Sequence, residues 1–324
     1  MQKKYYIYSG YNDKNGNRHW QKVSTVNNKS SIRQKTTINV NPKHYYFTVK
    51  AVSIKNNKTI YSPYDKKFCV NNRKYDNKSI LYIGDSITFG SPYKSVATRE
   101  IFSYPWRVHQ LTNVKYYNPS IPGATYAYKD YNGKGYFRHR LITDVAEKIN
   151  NSTTPVDALH SNTKTYKDFD VVVMAAGTND YSDNIKLGDK DSTNIKEFNG
   201  AINTIISYIE NANIQRREEG KKPIKIVFTD LYYSNRTDNY SELINRFKTK
   251  NKIGLTLTDY QNDINNLIDN YKSKGLDVYQ FHTKNIVTEE SCPYKTSDNL
   301  HMTRTTYSEI GNKLSKFLID EKII

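Results

Sequence analysis

Residues 79–90 read Ser-Ile-Leu-Tyr-Ile-Gly-Asp-Ser-Ile-Thr-Phe-Gly, and this stretch decides the fold. Ser79 to Gly84 is a short, nearly continuous apolar run without alternation, the pattern of a strand buried on both faces. Residues 169–175 (FDVVVMA), 224–229 (IKIVFT) and 276–281 (LDVYQF) repeat it. Helical periods fall among these runs. Ile195, Phe198, Ala201, Ile202, Ile205, Ile206 and Ile209 form one apolar stripe, and Tyr260, Ile264, Leu267, Ile268 and Tyr271 another. Thr306 and Glu309 have the spacing of a capping box for a last helix that buries Ile310, Leu314, Phe317 and Leu318. Strands alternating with helices predict an α/β fold with a parallel sheet covered on both faces. In such sheets sites form beyond the carboxyl ends of the strands.

Upstream the pattern changes. Residues 5–70 alternate in the manner of strands, through Tyr6 and Tyr8, then Trp20 to Val26, then Tyr45, Phe47, Val49 and Ala51. The chain of 324 residues, against about 150 per domain, predicts roughly two domains. The change in pattern divides them as 1–75, a small all-β domain, and 76–324.

Composition narrows the classes. Apolar residues at 36% with 29 Tyr and 11 Phe exclude disorder over most of the length. No run approaches the roughly 20 apolar residues of a membrane span, and MQKKYYIYSG lacks the apolar core of a signal peptide. The formal charge of +17 favours polyanionic surroundings such as nucleic acid, anionic lipid or an acidic cell-wall polymer, without choosing among them. The basic residues are scattered, without a dense run or an RNP-like string, so they read as a solvated surface and nucleic acid is not expected as a partner. Cys69 and Cys292 stand far apart and define neither a disulfide framework nor a metal cluster.

The unusual residues follow the strands. The first strand runs into Gly84-Asp85-Ser86-Ile87, a later one into Gly177-Thr178-Asn179-Asp180, and Asp298-Asn299-Leu300-His301 precedes the last helix. A serine hydroxyl is a weak nucleophile until a base takes its proton, and an imidazole base needs a partner that fixes its tautomer. Asp298 and His301, three apart, can supply that pair to Ser86. Donors for a developing oxyanion are the Asn179 amide, the backbone N–H of Gly123 in the loop 118–125, and that of Ser86. His19, His44, His109, His139, His160 and His282 lack such company and read as surface or packing residues.

These blocks resemble the SGNH (GDSL-like) hydrolase superfamily. IGDSITFG, NPSIPGATY, AAGTNDY and DNLHMTRTTYSEIG stand in the family's order over residues 78–324. The resemblance implies a three-layer α/β/α sandwich with a five-stranded parallel, flavodoxin-like sheet. It implies Ser86 as nucleophile, His301 as base, Asp298 as its orienting partner, and Ser86, Gly123 and Asn179 as the oxyanion hole. No metal or cofactor is implied. The first block reads GDSI in place of GDSL, a change at a packing position. The run NPKHYYFTVKAVS resembles the F-strand region of a fibronectin type III domain, with Tyr45 as its corner tyrosine and Phe47, Val49 and Ala51 turned inward. About 65 residues are covered and the first two strands are missing, so either the domain is abbreviated or the chain is a fragment.

The functional expectation is a serine esterase removing a short acyl group, O-acetyl first, from a bacterial surface or capsular carbohydrate. The resemblance implies an extracellular, cell-surface or phage-tail protein, since members of the family with fibronectin-like domains often look like these. A lipase or lysophospholipase, and a non-catalytic glycan-binding module, are the alternatives. Asp85, Tyr126, Tyr128 and Asp180 are candidate substrate contacts. Tyr126, Tyr128, Tyr131, Tyr136 and Phe137 can stack on sugar rings or pack on the sheet edge. Residues 232–255 read as an insertion or lid beside the fourth strand.

Overall fold

The computed structural model describes residues 3–12, 18–27, 38, 46–55, 58–61, 68–69, 75–93, 102–130, 139–155, 163–235 and 243–324. The chain divides into two compact units, Met1–Asp76 with Gln110–Asn113, and Asn77–His109 with Val114–Ile324.

In the first unit β1 (Lys3–Asn12), β2 (Arg18–Asn27), β3 (Tyr46–Lys55) and β4 (Lys58–Tyr61) form an antiparallel sheet in the order β2-β1-β3-β4, with β5 (Phe68–Cys69) also paired to β3. Ile7 and Val52 are its buried apolar residues, with Ser9 and Thr48 beside them. The inward alternation expected of Phe47, Val49 and Ala51 is not observed, since all three are half-buried while Thr48 and Val52 are covered. The described strands make one sheet, not two packed layers. Tyr45 lies outside the described residues.

The second unit is an α/β fold. Its strands β6 (Ser79–Gly84), β7 (Lys115–Tyr117), β8 (Val171–Ala175), β9 (Lys225–Thr229) and β10 (Val278–Phe281) form a five-stranded sheet in the order β10-β9-β8-β6-β7. Every pairing is parallel. Three of the four predicted runs start one or two residues early, and β7 had no apolar signal because Lys-Tyr-Tyr at a sheet edge needs none. Among the described residues the α-helices are α1 (Ser86–Phe89), α2 (Tyr104–Thr112), α3 (Glu147–Asn150), α4 (Thr178–Ser182), α5 (Phe198–Glu218), α6 (Leu257–Ser273), α7 (Cys292–Lys295) and α8 (Arg304–Asp320).

Alternate residues of each strand feed opposite layers. Leu81, Ile83, Val172, Met174, Ile226 and Phe228 join one buried cluster with Ile202, Ile205 and Ile209 of α5 and Ile264, Leu267 and Ile268 of α6. On the other face Tyr82 meets Tyr104 of α2 edge-on at 5.8 Å, and Phe281 packs on Phe317 of α8 at 5.5 Å. Arg107 Nε donates to Asn312 Oδ1 at 2.8 Å and joins α2 to α8. The capping box expected at Thr306 and Glu309 is corrected here. Thr303 caps α8, accepting the N–H of Thr306, so Thr306 lies within the first turn. Glu309 faces Lys295 at 2.9 Å and Lys313 at 3.3 Å instead.

Gly84 closes β6 where the chain comes nearest to β8. A methyl group there would stand 2.8 Å from the Ala175 carbonyl oxygen and against the Thr88 side chain. Gly84→Ala is expected to destabilise the protein by about 1–3 kcal/mol. Thermal unfolding at fixed pH checks this, and an unchanged midpoint would contradict it.

Candidate active site

The turn from β6 into α1 carries Ser86. Asp85 is the N-cap, its Oδ1 accepting the Ile87 N–H at 2.9 Å, and Gly90 closes the single turn at φ 103° with its N–H on the Ser86 carbonyl. The four-residue helix is therefore fixed at both ends, and Ser86 is buried to 7% exposure at its start. Across the sheet edge, Asp298 Oδ1 accepts the backbone N–H of Leu300 at 3.2 Å and of His301 at 2.7 Å. Asn299 takes the left-handed conformation, φ 62°, that this tight turn needs. The second oxygen, Oδ2, lies 2.7 Å from His301 Nδ1. One carboxylate thus shapes the loop with one oxygen and orients the ring with the other. With the Nδ1 proton directed to Asp298, Nε2 accepts from Ser86 Oγ at 2.9 Å. In this geometry an imidazole can take the proton of a hydroxyl as it attacks a carbonyl.

The remaining expected residues sit on two loops tied to this edge. Ile121 N–H donates to the Gly84 carbonyl at 3.1 Å, and Asn118 Nδ2 to the Thr88 carbonyl at 2.9 Å. These bonds hold the loop of Gly123 beside α1. Gly123 has φ +75°, and a Cβ built there would meet nothing within 4 Å, so glycine is required by conformation and its surroundings are open. Asn179, in the first turn of α4, donates one amide hydrogen to the Ala124 carbonyl at 2.9 Å, which leaves its second N–H available. Among the described residues, the backbone N–H groups of Ser86 and Gly123 make no hydrogen bond. Three donors therefore stand on segments bonded to one another around Ser86.

The family model for the GDSL-like lipase/acylhydrolases matches residues 80–314, most of the chain and all of these segments. The chain belongs to the GDSL-like lipase/acylhydrolase family. It is accordingly an ester hydrolase by family. Solved structures that resemble it include a protein from Lactobacillus plantarum, at 17% identity with 75% of this chain and 97% of that one covered, TM-score 0.51. A "possible lipase" from Chitinophaga pinensis matches at 18% identity over 76% and 99%, TM-score 0.51. A family two carbohydrate esterase from Clostridium thermocellum covers 99% of this chain at 13% identity, with a TM-score of 0.47, too loose to bear on function. These likenesses speak for the fold alone. Comparison with curated proteins returns no match.

Within the acylhydrolase, three candidate substrate contacts are displaced by burial. Asp180 has no exposure, and its carboxylate accepts the backbone N–H of Tyr126 at 3.0 Å and of Ala127 at 3.1 Å. Its work is to fasten the Gly123 loop to α4. Tyr126 is 1% exposed and packs edge-on against Phe198 at 5.7 Å, so it belongs to the core. Asp85 is 3% exposed and serves as the cap. Tyr128 is half-buried beneath the Arg140 guanidinium, 4.7 Å from its ring centre. Tyr131, Tyr136 and Phe137 lie outside the described residues.

Of the other histidines, His19 stacks on Tyr11, His109 Nδ1 bonds the Val114 carbonyl at 2.8 Å, and His139 and His282 face Asp144 and Asp230. His44 and His160 lie outside the described residues. Among the described residues no His, Cys, Asp and Glu group could hold a metal, and no helix is long and apolar enough to cross a membrane.

Contacts that the sequence did not reveal complete the site. Tyr307 Oη donates to the Ser91 carbonyl at 2.7 Å, tying α8 to the loop behind Ser86. The N–H of Asn235 donates to the Asn299 carbonyl at 3.2 Å, inside the Asp298–His301 turn. Farther along, Tyr181 Oη donates to the Thr249 carbonyl at 3.1 Å and Asn251 Nδ2 to the Tyr181 carbonyl at 2.9 Å. The described parts of residues 232–255 are thus anchored on both flanks of the site, and residues 236–242 lie outside the description.

Burial pushes the Asp85 carboxyl up to about 6 against the pull of the Ile87 N–H and nearby His301. It pushes Asp180 up to about 7 against its two backbone donors. Both carboxyls hold protons in the folded chain at pH values where the unfolded chain has released them. The stability they contribute is complete below about pH 4 and is lost as pH rises through 6 to 7. Asp85→Asn keeps a cap acceptor and removes one of these groups. Between pH 5 and 8 its melting temperature should therefore fall less than that of the wild type, by about 2–6 °C. Parallel profiles for the two proteins would contradict the assignment.

Proposed function

We propose that this acylhydrolase is a serine esterase that removes a short acyl group, O-acetyl foremost, from a glycan through an acyl-enzyme on Ser86. The single observation that carries the reading is the hydrogen-bonded series from Ser86 Oγ through His301 to Asp298, at 2.9 and 2.7 Å. Ser86 Oγ attacks the ester carbonyl while His301 Nε2 takes its proton. The tetrahedral oxyanion receives the N–H groups of Ser86, Gly123 and the Asn179 side chain. The imidazolium, held by Asp298, passes the proton to the leaving alkoxide as the ester C–O bond breaks. Water enters and attacks the acyl carbonyl as His301 removes its proton, and the bond to Ser86 Oγ then breaks as His301 returns the proton to that oxygen, releasing the acid.

The preference for a small acyl group rests on the sequence, which carries no long apolar loop run to receive a longer chain. The glycan rests on the charge of +17, the Tyr-rich composition and the appended β-domain. An extracellular site of action, at a cell surface or in a phage virion, rests on the fibronectin type III resemblance of residues 1–75. A second reading has its own support. Leu243 and Ile253 are 67% and 41% exposed, apolar side chains of the kind that a surface for longer acyl chains would offer.

Hydrolysis of p-nitrophenyl esters from acetyl to long acyl chains separates the two. The esterase reading expects the highest kcat/KM on acetyl and a fall to background in Ser86→Ala. Preference for long chains would favour the lipase, and activity surviving in Ser86→Ala would overturn both. Asp298→Asn is expected to lower kcat by roughly 10²–10⁴. Asn179→Ala is expected to lower it by roughly 10²–10³ with KM little changed. A loss confined to KM would remove Asn179 from the oxyanion hole.

A further inference from the structure

At the opposite end of the parallel sheet from Ser86, where β6, β7 and β8 begin, a cavity of about 750 Å³ opens within the second unit. Six lysines line it, Lys78, Lys115, Lys164, Lys167, Lys221 and Lys222, together with Arg216. Only two carboxylates line it, Asp168 and Asp170. Both are occupied. Asp168 Oδ2 accepts from the Thr165 N–H at 2.8 Å and its hydroxyl at 3.1 Å. Asp170 accepts from the Ser79 N–H at 3.0 Å and from Arg216 Nη2 at 3.2 Å, with Lys78 Nζ at 3.7 Å. Lys167 and Lys221 both face Glu219. Lys115, Lys164 and Lys222 have no carboxylate partner among the described residues.

The floor of this cavity is rigid. The Arg216 side chain is 6% exposed and donates to the carbonyls of Lys167 at 2.7 Å, Phe169 at 2.9 Å and Lys222 at 2.8 Å. It pins together the backbone segments that carry Lys164, Lys167, Lys221 and Lys222. Like charges held in a concavity repel one another, and a partner with several negative charges relieves that repulsion without reorganising the site. The lining rings offer little to a nucleobase, because Tyr117 stacks on Phe169 at 5.9 Å and Tyr116 packs against Trp106 and His109.

We propose that this cavity binds an anionic segment of a glycan polymer, bearing carboxylate or phosphate groups, and retains the enzyme on that polymer. The binding of an anion rests on the cavity alone, whereas the glycan rests on the substrate class proposed above. Tethering at the far end of the sheet leaves Ser86 accessible and raises the local concentration of polymer-borne esters.

The test uses the full chain, polygalacturonate as the carboxylate probe and poly(glycerol phosphate) as the phosphate probe, with titrations at low and high salt. The triple variant K115A/K164A/K222A is compared with K272A/K313A/K316A, which removes the same charge from other surfaces. The wild type should bind at least one polymer, more weakly as salt rises, and the probe it prefers identifies the anion. The cavity variant should lose about tenfold or more in affinity, and the control variant about twofold or less. Hydrolysis of p-nitrophenyl acetate should be unchanged in both, so a failed esterase reading would not be mistaken for a failed binding site. Equal losses in the two variants would reduce the effect to net charge and overturn the site, as would binding to neither polymer. Tighter binding of a DNA duplex, lost in the cavity variant, would overturn the glycan.

Discussion

The hydrogen bond between Ser86 Oγ and His301 Nε2 joins side chains 215 residues apart, at 2.9 Å. It can form only if the end of the first parallel strand and the approach to the last helix arrive at one edge of the sheet in fixed relation. Most of the second unit serves that constraint. β6 is buried along nearly its whole length, so Gly84 has one position relative to β8. Asp85 and Gly90 then leave Ser86 a single turn in which to stand. On the other side α8 is held by Arg107 to α2 and by Tyr307 to the loop after Ser86. A helix anchored to the loop that follows Ser86 carries its preceding histidine with it.

Carboxyl groups do much of the positioning. Asp298 shapes its turn and orients the imidazole, Asp85 caps the serine helix, and Asp180 fastens the glycine loop to α4. Their environments differ. Asp298 is partly exposed beside a histidine, whereas Asp85 and Asp180 are enclosed and keep their protons to higher pH. The enclosed acids stabilise this edge most below about pH 4, where folded and unfolded chains alike hold the protons, and the margin falls as pH rises through 6 to 7. That cost accompanies loops fastened to one another by backbone N–H donors to enclosed carboxyl groups.

Much of this was legible in the sequence. Runs such as Ile80 to Ile83 and Val171 to Ala175 announce strands buried on both faces, and the stripes of α5 and α6 announce the helices that cover them. Ser86, Asp298 and His301 could be picked out because each follows or precedes such an element. The inward direction of Tyr126 and Asp180 was not legible, since a residue near a candidate can turn either way: Phe198 decides it for Tyr126, and the N–H groups of Tyr126 and Ala127 for Asp180. The cap of α8 was misjudged because Thr303 and Thr306 both precede a plausible apolar face. The basic cavity was invisible as well, because its lysines come from segments spread between residues 78 and 222 and converge only in the fold. Scattered charge in a sequence can be concentrated charge in a fold.

The central claim is that Ser86 is a nucleophile activated by His301, and covalent labelling tests it most directly. Treatment with diisopropyl fluorophosphate followed by peptide mass spectrometry should find one phosphoryl adduct, on Ser86, formed with release of fluoride and much more slowly in His301→Ala. Ester hydrolysis should disappear in step with labelling. An enzyme that hydrolyses esters while Ser86 stays unmodified, or that is labelled and inactivated at another residue, would contradict the account.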